Sequence, residues 1–268
     1  MVKVKLATSN CDASNISKIE ELSTAEVRLI FELDRIVSVQ SQKAVREELC
    51  AAIRGQLQDF NWICAGHVNL ELLWYLHETE RQETDKIGDM DNITKPIIDA
   101  LTGQDGLIID DSQVGSLHSF WSSRNHQTEK DILHIRVEFS NDECLRKDDL
   151  IFIQYSAAMC MPFNVDFNRV HDIIGALAVI KARRMQRRLA AHIRQQGHNF
   201  DRGLVSSSWD FHRTRLGGMR AGSIYRLEEF LAKSKEHGLT WSSVLNAFRS
   251  FNRVRPAAQR VSRTARAD

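Results

Sequence analysis

At 268 residues and 43 % hydrophobic content, the chain is long enough for one large or two small domains, and no run approaches the roughly 20 apolar residues of a membrane-spanning helix. The five cysteines, Cys11, Cys50, Cys64, Cys144 and Cys160, are scattered and never form a C-x-x-C pair, which argues against a disulfide framework or a thiolate zinc site and fits an unexported protein in a reducing cytoplasm. The net charge of +1 averages two opposite halves: residues 1–149 hold 16 Lys+Arg against 27 Asp+Glu (−11), and residues 150–268 hold 20 against 8 (+12).

Strict alternation in VRLIFEL (27–33) and VNLELLWYL (68–76) predicts two half-buried strands. Between them, SQKAVREELCAAIRGQL (41–57) sets Val45, Leu49, Ile53 and Leu57 at steps of four, a helix laying one side on a sheet. NITKPIIDAL (92–101) predicts a shorter helix capped by Asn92, with Pro96 removing a backbone donor. Two more alternating runs, 114–121 and 132–139, complete a β-α-β-α-β-β order, hence an α+β fold with helices over one face of a mixed sheet.

Beyond residue 150 the pattern changes, and a mainly α-helical C-terminal region is expected. The predicted division is an N-terminal extension (1–25), an α+β domain (26–145), a linker (146–165), a basic helical region (166–252) and a disordered basic tail (253–268). The long helix 170–196 has Ile173, Ile174, Leu177, Leu189 and Ile193 on its apolar side. Its second half carries Lys181, Arg183, Arg184, Arg187 and Arg188, candidates for contact with DNA phosphates; the alternative is a partner helix with solvated arginines. In 230–248, Ser234, Gly238 and Val244 have helix-turn-helix spacing, which would offer Asn246, Arg249 and Arg253 to DNA; an ordinary helical hairpin is the alternative.

The chemistry concentrates in GDMDNITK (88–95). In an extended segment residues two apart point the same way, so Asp89 and Asp91 can aim both carboxylates at one point. Asp110 and Asp111 precede a strand whose return can bring one of them to the first pair. Three converging carboxylates repel unless a cation neutralises them, which predicts Mg²⁺ or Mn²⁺. An EF-hand is excluded because Ile93 and Thr94 stand where its loop needs an oxygen ligand and glycine. Lys95, one turn after Asp91, can stabilise charge on phosphoryl oxygens. The structural alternative is an acidic N-cap, a turn at Asp110 and Asp111, and a solvated lysine.

Read as one string, DMDNITKPIIDALTGQDGLIIDDSQV (89–114) resembles the signature of the RusA family of Holliday junction resolvases, D-x-D-N-x-x-K-x-x-x-D-x-L, a short spacer, then D-D-x-Q-V. Asp89, Asp91, Asn92, Lys95, Asp99, Leu101, Asp110, Asp111, Gln113 and Val114 fall on it, and a weaker likeness runs from about residue 26 to 140. The resemblance implies a Mg²⁺-dependent endonuclease, a homodimer that cuts four-way DNA junctions at symmetric positions. It implies metal-binding acids at Asp89, Asp91 and one of Asp110 and Asp111, with Asp111 favoured, and a catalytic lysine at Lys95. Asp99 either faces this site or sits on the exposed flank. The family is typically a compact single domain, so the resemblance is silent about the basic C-terminal region, and Val37 to Gln40 stand where relatives often carry a proline. The alternatives are a nuclease of the same fold acting on other branched or single-stranded nucleic acid, and a non-catalytic DNA-binding protein.

Overall fold

The computed structural model describes residues 4–9, 24–77, 89–124, 127, 129–199, 210–240, 242 and 246. Strands β1 (Val4–Ser9), β2 (Thr24–Leu33), β4 (Val68–Leu76), β5 (Val114–Ser123) and β6 (Asp131–Ser140) form one sheet in the order β1-β2-β6-β4-β5. All neighbours are antiparallel except β4 and β5, so the sheet is mixed as expected. β1 lies inside the stretch expected as an extension; it pairs Val4 with Leu33 and Lys5 with Glu32 along β2.

The alternation read in the sequence is the burial pattern observed. Val68, Leu70, Leu72, Trp74 and Leu76 point to the core, as do Leu133, Ile135, Val137 and Phe139 on β6. Helices α1 (Lys43–Leu57) and α2 (Met90–Leu101) cover this face. Leu49, Ile53 and Leu57 of α1 and Ile93, Ile97 and Leu101 of α2 join the strand residues in one core. Each such fully buried aliphatic side chain contributes roughly 1.5–3 kcal/mol. Arg54 of α1 locks the pair, its Nη2 donating to the carbonyls of Asp99 and Thr102 (2.8 Å each) and its Nε to that of Ala100 (3.3 Å), so the C-terminus of α2 is capped by its neighbour.

Residues 146–165, expected as a linker, are structured instead. β7 (Cys144–Arg146) pairs with β3 (Trp62–Cys64), and β8 (Leu150–Ser156) with β9 (Met159–Asn164) forms a hairpin. With β10 (Phe211–His212) and β11 (Ile224–Arg226) they build a second sheet in the order β10-β9-β8-β11. LIFI at 150–153 lacks alternation because β8 is buried on both faces. Phe152, Cys160, Phe211, Leu216 and Met219 share a core with Ile63, Ala65 and Ile109 of the preceding region, so the C-terminal region packs directly on it.

The 26-residue helix α3 (Val170–Gln195) lies over this second sheet through Ile173, Ala176, Leu177 and Ile180. Helix α4 (Leu227–Glu236) ends in a Schellman turn: with Gly238 at φ 73°, the N–H of Leu239 bonds the Ser234 carbonyl and that of Gly238 the Lys235 carbonyl. The glycine turn expected of the helix-turn-helix spacing is present. Of its second helix only Ser242 and Asn246 are described, both helical and exposed; Arg249, Arg253 and the basic tail lie outside the described residues. No helix among the described residues is long and apolar enough to cross a membrane.

Candidate active site

α2 starts two residues earlier than its sequence indicated. Its N-cap is Asp89, in extended conformation (φ −78°, ψ 159°), not Asn92, and the Asp89 carbonyl accepts the Ile93 N–H at 3.1 Å. Asp91 therefore sits in the first helical turn rather than in an extended pair with Asp89, and both are exposed. An acid there faces the positive end of the helix dipole. Pro96 lies inside the helix and leaves the Asn92 carbonyl without its helical donor; the Val39 N–H takes that position at 2.9 Å, tying the polar loop before α1 to the start of α2.

The outer face of α2 carries Asp91, Lys95 and Asp99 at successive turns, all exposed. Lys95 Nζ is 2.8 Å from Asp99 Oδ1 and 2.8 Å from Asp111 Oδ2. Asp99 thus faces this site. Burial pulls the Lys95 ammonium down, but hydrogen bonds and charge attraction from Asp111 and Asp99 outweigh it and hold its pKa above the ordinary lysine value. A lysine so held is protonated at neutral pH, which suits it to stabilising anionic charge and not to acting as a base.

Asp110 and Asp111 are presented by the loop after α2. That loop is fixed to β3 by the Cys64 N–H on the Leu107 carbonyl (2.8 Å), and at Gly106 an added Cβ would fall 2.1 Å from the Leu101 carbonyl oxygen. Asp110 caps the short 3-10 turn Asp111–Gln113, its Oδ1 accepting the Ser112 N–H at 3.1 Å. Gln113, 4 % exposed, closes the turn: its Oε1 accepts the N–H of Ile109 (2.7 Å) and Asp110 (3.0 Å), and its Nε2 donates to the carbonyls of Cys64 (2.9 Å) and Gly66 (2.7 Å). Burial pushes the Asp110 carboxyl up, but hydrogen bonds from Ser112 and Arg215 and the charge of Arg215 more than offset it, leaving its pKa below the usual value.

The expected residues are thus only partly gathered. Lys95, Asp99, Asp111 and Asp110 are linked by ion pairs through Lys95 and Arg215, whereas Asp89 and Asp91 have no side-chain hydrogen bond or ion pair among the described residues. No group of three or more His, Cys, Asp or Glu among the described residues converges closely enough to hold a metal ion. The donor chemistry nevertheless fits a hard divalent cation, since Asp89 and Asp91 offer exposed carboxylate oxygens that no side chain of the described residues engages.

Arg215, whose Nη1 is 2.9 Å from Asp110 Oδ1 and 3.6 Å from Asp111 Oδ1, is the site residue that sequence reasoning missed. RTRLGGMR has no periodicity that ties it to the acids, and the only signal was the opposite charge of the two halves.

The candidate phosphate contacts on α3 divide. Arg183 is 4 % exposed and turned inward, its Nε and Nη2 bonding Asp210 Oδ2 at 3.1 and 2.9 Å, so it is not a surface contact. The Tyr155 hydroxyl donates to the same oxygen (2.7 Å) and accepts from Arg187 (2.8 Å). The physical reason is helical phase: Arg183 shares the face of Ala176, Ile180 and Ala190. Lys181, Arg184 and Arg188, with Met185, instead line a surface hollow of about 340 Å³.

Residues 32–138 match the family model described as endodeoxyribonuclease RusA. The matched span contains Asp89, Asp91, Asp99, Asp110, Asp111 and Lys95, while Arg215 and α3 lie beyond it. No curated protein matches the chain.

Proposed function

We propose that the protein, whose residues 32–138 match the RusA endodeoxyribonuclease model, is a divalent-metal-dependent endonuclease that resolves four-way DNA junctions as a homodimer. The observation that carries this reading is Lys95, held charged between Asp111 and Asp99 on the α2 face that also bears Asp91. Asp89, Asp91 and Asp111 would hold Mg²⁺ or Mn²⁺, with Asp110 kept back by its cap and by Arg215. When bound, the metal supplies an activated water and polarises the phosphate. Lys95 stabilises charge that accumulates on the phosphoryl oxygens as the phosphodiester breaks, and its exchange between Asp111 and the phosphate keeps it in register. Gln113 fixes the backbone of Ile109 and Asp110 and so orients the Asp111 carboxylate.

A dimer is supported by the outer edge of β5, which pairs with no strand among the described residues and exposes Leu117 (45 %) and Phe120 (44 %). The half-buried Lys181 and Arg184 and the exposed Arg188, which line one surface hollow, extend the basic surface that phosphates require. The test is incubation of a labelled four-way junction, a linear duplex and a flap with and without Mg²⁺, alongside Asp91→Asn. Metal-dependent paired cutting of the junction by the wild type alone is expected. Preference for the flap moves the substrate to other branched DNA, and no cutting of any substrate contradicts the enzyme reading.

A further inference from the structure

The RusA span ends at residue 138, yet its paired aspartates are met by a side chain from the far end of the fold. Arg215 stands on a short 3-10 turn (Arg213–Leu216) between β10 and β11. The turn is seated from beneath by Leu216 (1 % exposed) and Met219 (7 %), which share a core with Ile63 and Ile109. It is also stitched to the loop that carries the acids: the Gln104 N–H bonds the Gly218 carbonyl at 3.0 Å. The two backbones approach so closely that a Cβ on Gly103 would lie 3.0 Å from the Gly218 oxygen, and Gly103 has φ 98°. The base of Arg215 is therefore fixed relative to Asp110.

Its tip is not closed off. The Arg215 side chain is 48 % exposed, its Nη1 is bound to Asp110, and its Nε and Nη2 have no hydrogen-bond partner among the described residues. A guanidinium held through one nitrogen, with its other donors left over, is a preorganised fork for a phosphate. A plain structural clamp would be expected to bury those donors. Arg215 meets both acids through one nitrogen only, Nη1, at 2.9 Å from Asp110 and 3.6 Å from Asp111; a guanidinium acting purely as a plug in the cation position is the competing reading, and Mn²⁺ binding separates the two.

We propose that Arg215, supplied by the C-terminal region, is a phosphate-contacting residue of the nuclease site, held in place by Asp110 and gripping the DNA backbone beside the bond to be cut. This rests on the nuclease reading, and it gives the C-terminal region a direct part in the site.

The test uses the full chain with Arg215→Ala and Arg215→Lys, folding being checked by circular dichroism. Affinity for a four-way junction is measured by fluorescence anisotropy in EDTA across a salt series, and Mn²⁺ binding by calorimetry. Arg215→Ala should weaken junction binding about ten-fold or more and reduce the salt slope by about 0.9, the share of one phosphate. Arg215→Lys should keep the slope while losing part of the affinity, because it retains the charge without the fork; this variant carries the test if the alanine variant does not fold. Unchanged affinity and slope in a folded variant would overturn the proposal, as would tighter Mn²⁺ binding with unchanged DNA affinity, the signature of a plug. Metal-dependent cutting by the wild type separates the two claims: if it cuts and Arg215→Ala binds normally, only the role of Arg215 falls, whereas no cutting removes both.

Discussion

Replacing Gln113 by alanine deletes four hydrogen bonds from a side chain that is 4 % exposed, and leaves two N–H groups and two carbonyls in the interior without their partner. At a net worth near 1 kcal/mol for each bond, the loss sums to about 4 kcal/mol, a large part of the roughly 5–15 kcal/mol that holds a domain folded. Gln113→Glu sharpens the argument. Its carboxylate can still accept from Ile109 and Asp110 but faces the Cys64 and Gly66 carbonyls with no proton to give. The introduced carboxyl should have a folded pKa above its unfolded value, so the variant should be closer to wild type at pH 5 than at pH 8. Urea unfolding followed by the fluorescence of the buried Trp62 and Trp74 measures both variants. An alanine variant within about 1 kcal/mol of wild type, against the sum above, or a glutamate variant with no pH dependence relative to wild type, would refute the reasoning.

Asp210→Ala should cost about 3–5 kcal/mol in the same assay, because it removes the carboxylate that neutralises the Arg183 guanidinium, whose side chain is 5 % exposed. Arg188→Ala, at an exposed position, should stay within about 0.5 kcal/mol. Because the folded Asp110 pKa is depressed, its contribution is present above the unfolded value near 3.9 and is lost as pH falls through the lower folded value. Arg215→Ala removes part of that depression, so its acid-unfolding midpoint should move to higher pH; an unmoved midpoint in a pH titration from 6 to 2 contradicts this.

How much could be read from the sequence depended on whether one residue's periodicity carried the answer. β4 was legible because one face meets the core and the other is half-exposed, so VNLELLWYL writes its burial in alternate letters. α1 was legible for the same reason at a period of four, and was found at Lys43–Leu57. β8 was not, because a strand buried on both faces leaves only an apolar run, which reads equally well as a linker beside Pro162. Asn92 looked like the cap of α2 because Pro96 blurred the start, yet the proline only displaced one bond, which Val39 takes over. Arg183 was misread because charge was counted without phase: the positions at seven before and seven after it, Ala176 and Ala190, are both buried. At the site, Lys95 was named from spacing and Asp111 was favoured over Asp110 through the family resemblance, and the two are in contact. The extended pairing of Asp89 with Asp91 did not occur, since Asp91 had already entered the helix. Arg215 was beyond reach, because the contact that brings it to Asp110 depends on how two sheets share a core.

The central claim is that the α2 face and the Asp111 turn form a phosphodiester-cleaving site. Its most direct test is the single-turnover rate on a labelled four-way junction with saturating protein and Mg²⁺, for wild type, Lys95→Ala and Asp91→Asn, with junction affinity measured in EDTA alongside. Lys95→Ala should cut about 10²–10³-fold more slowly, the loss typical of one preorganised charge at the reacting centre. Asp91→Asn should be slower still, and both should bind the junction about as well as wild type. Wild-type rates in both variants would contradict the account.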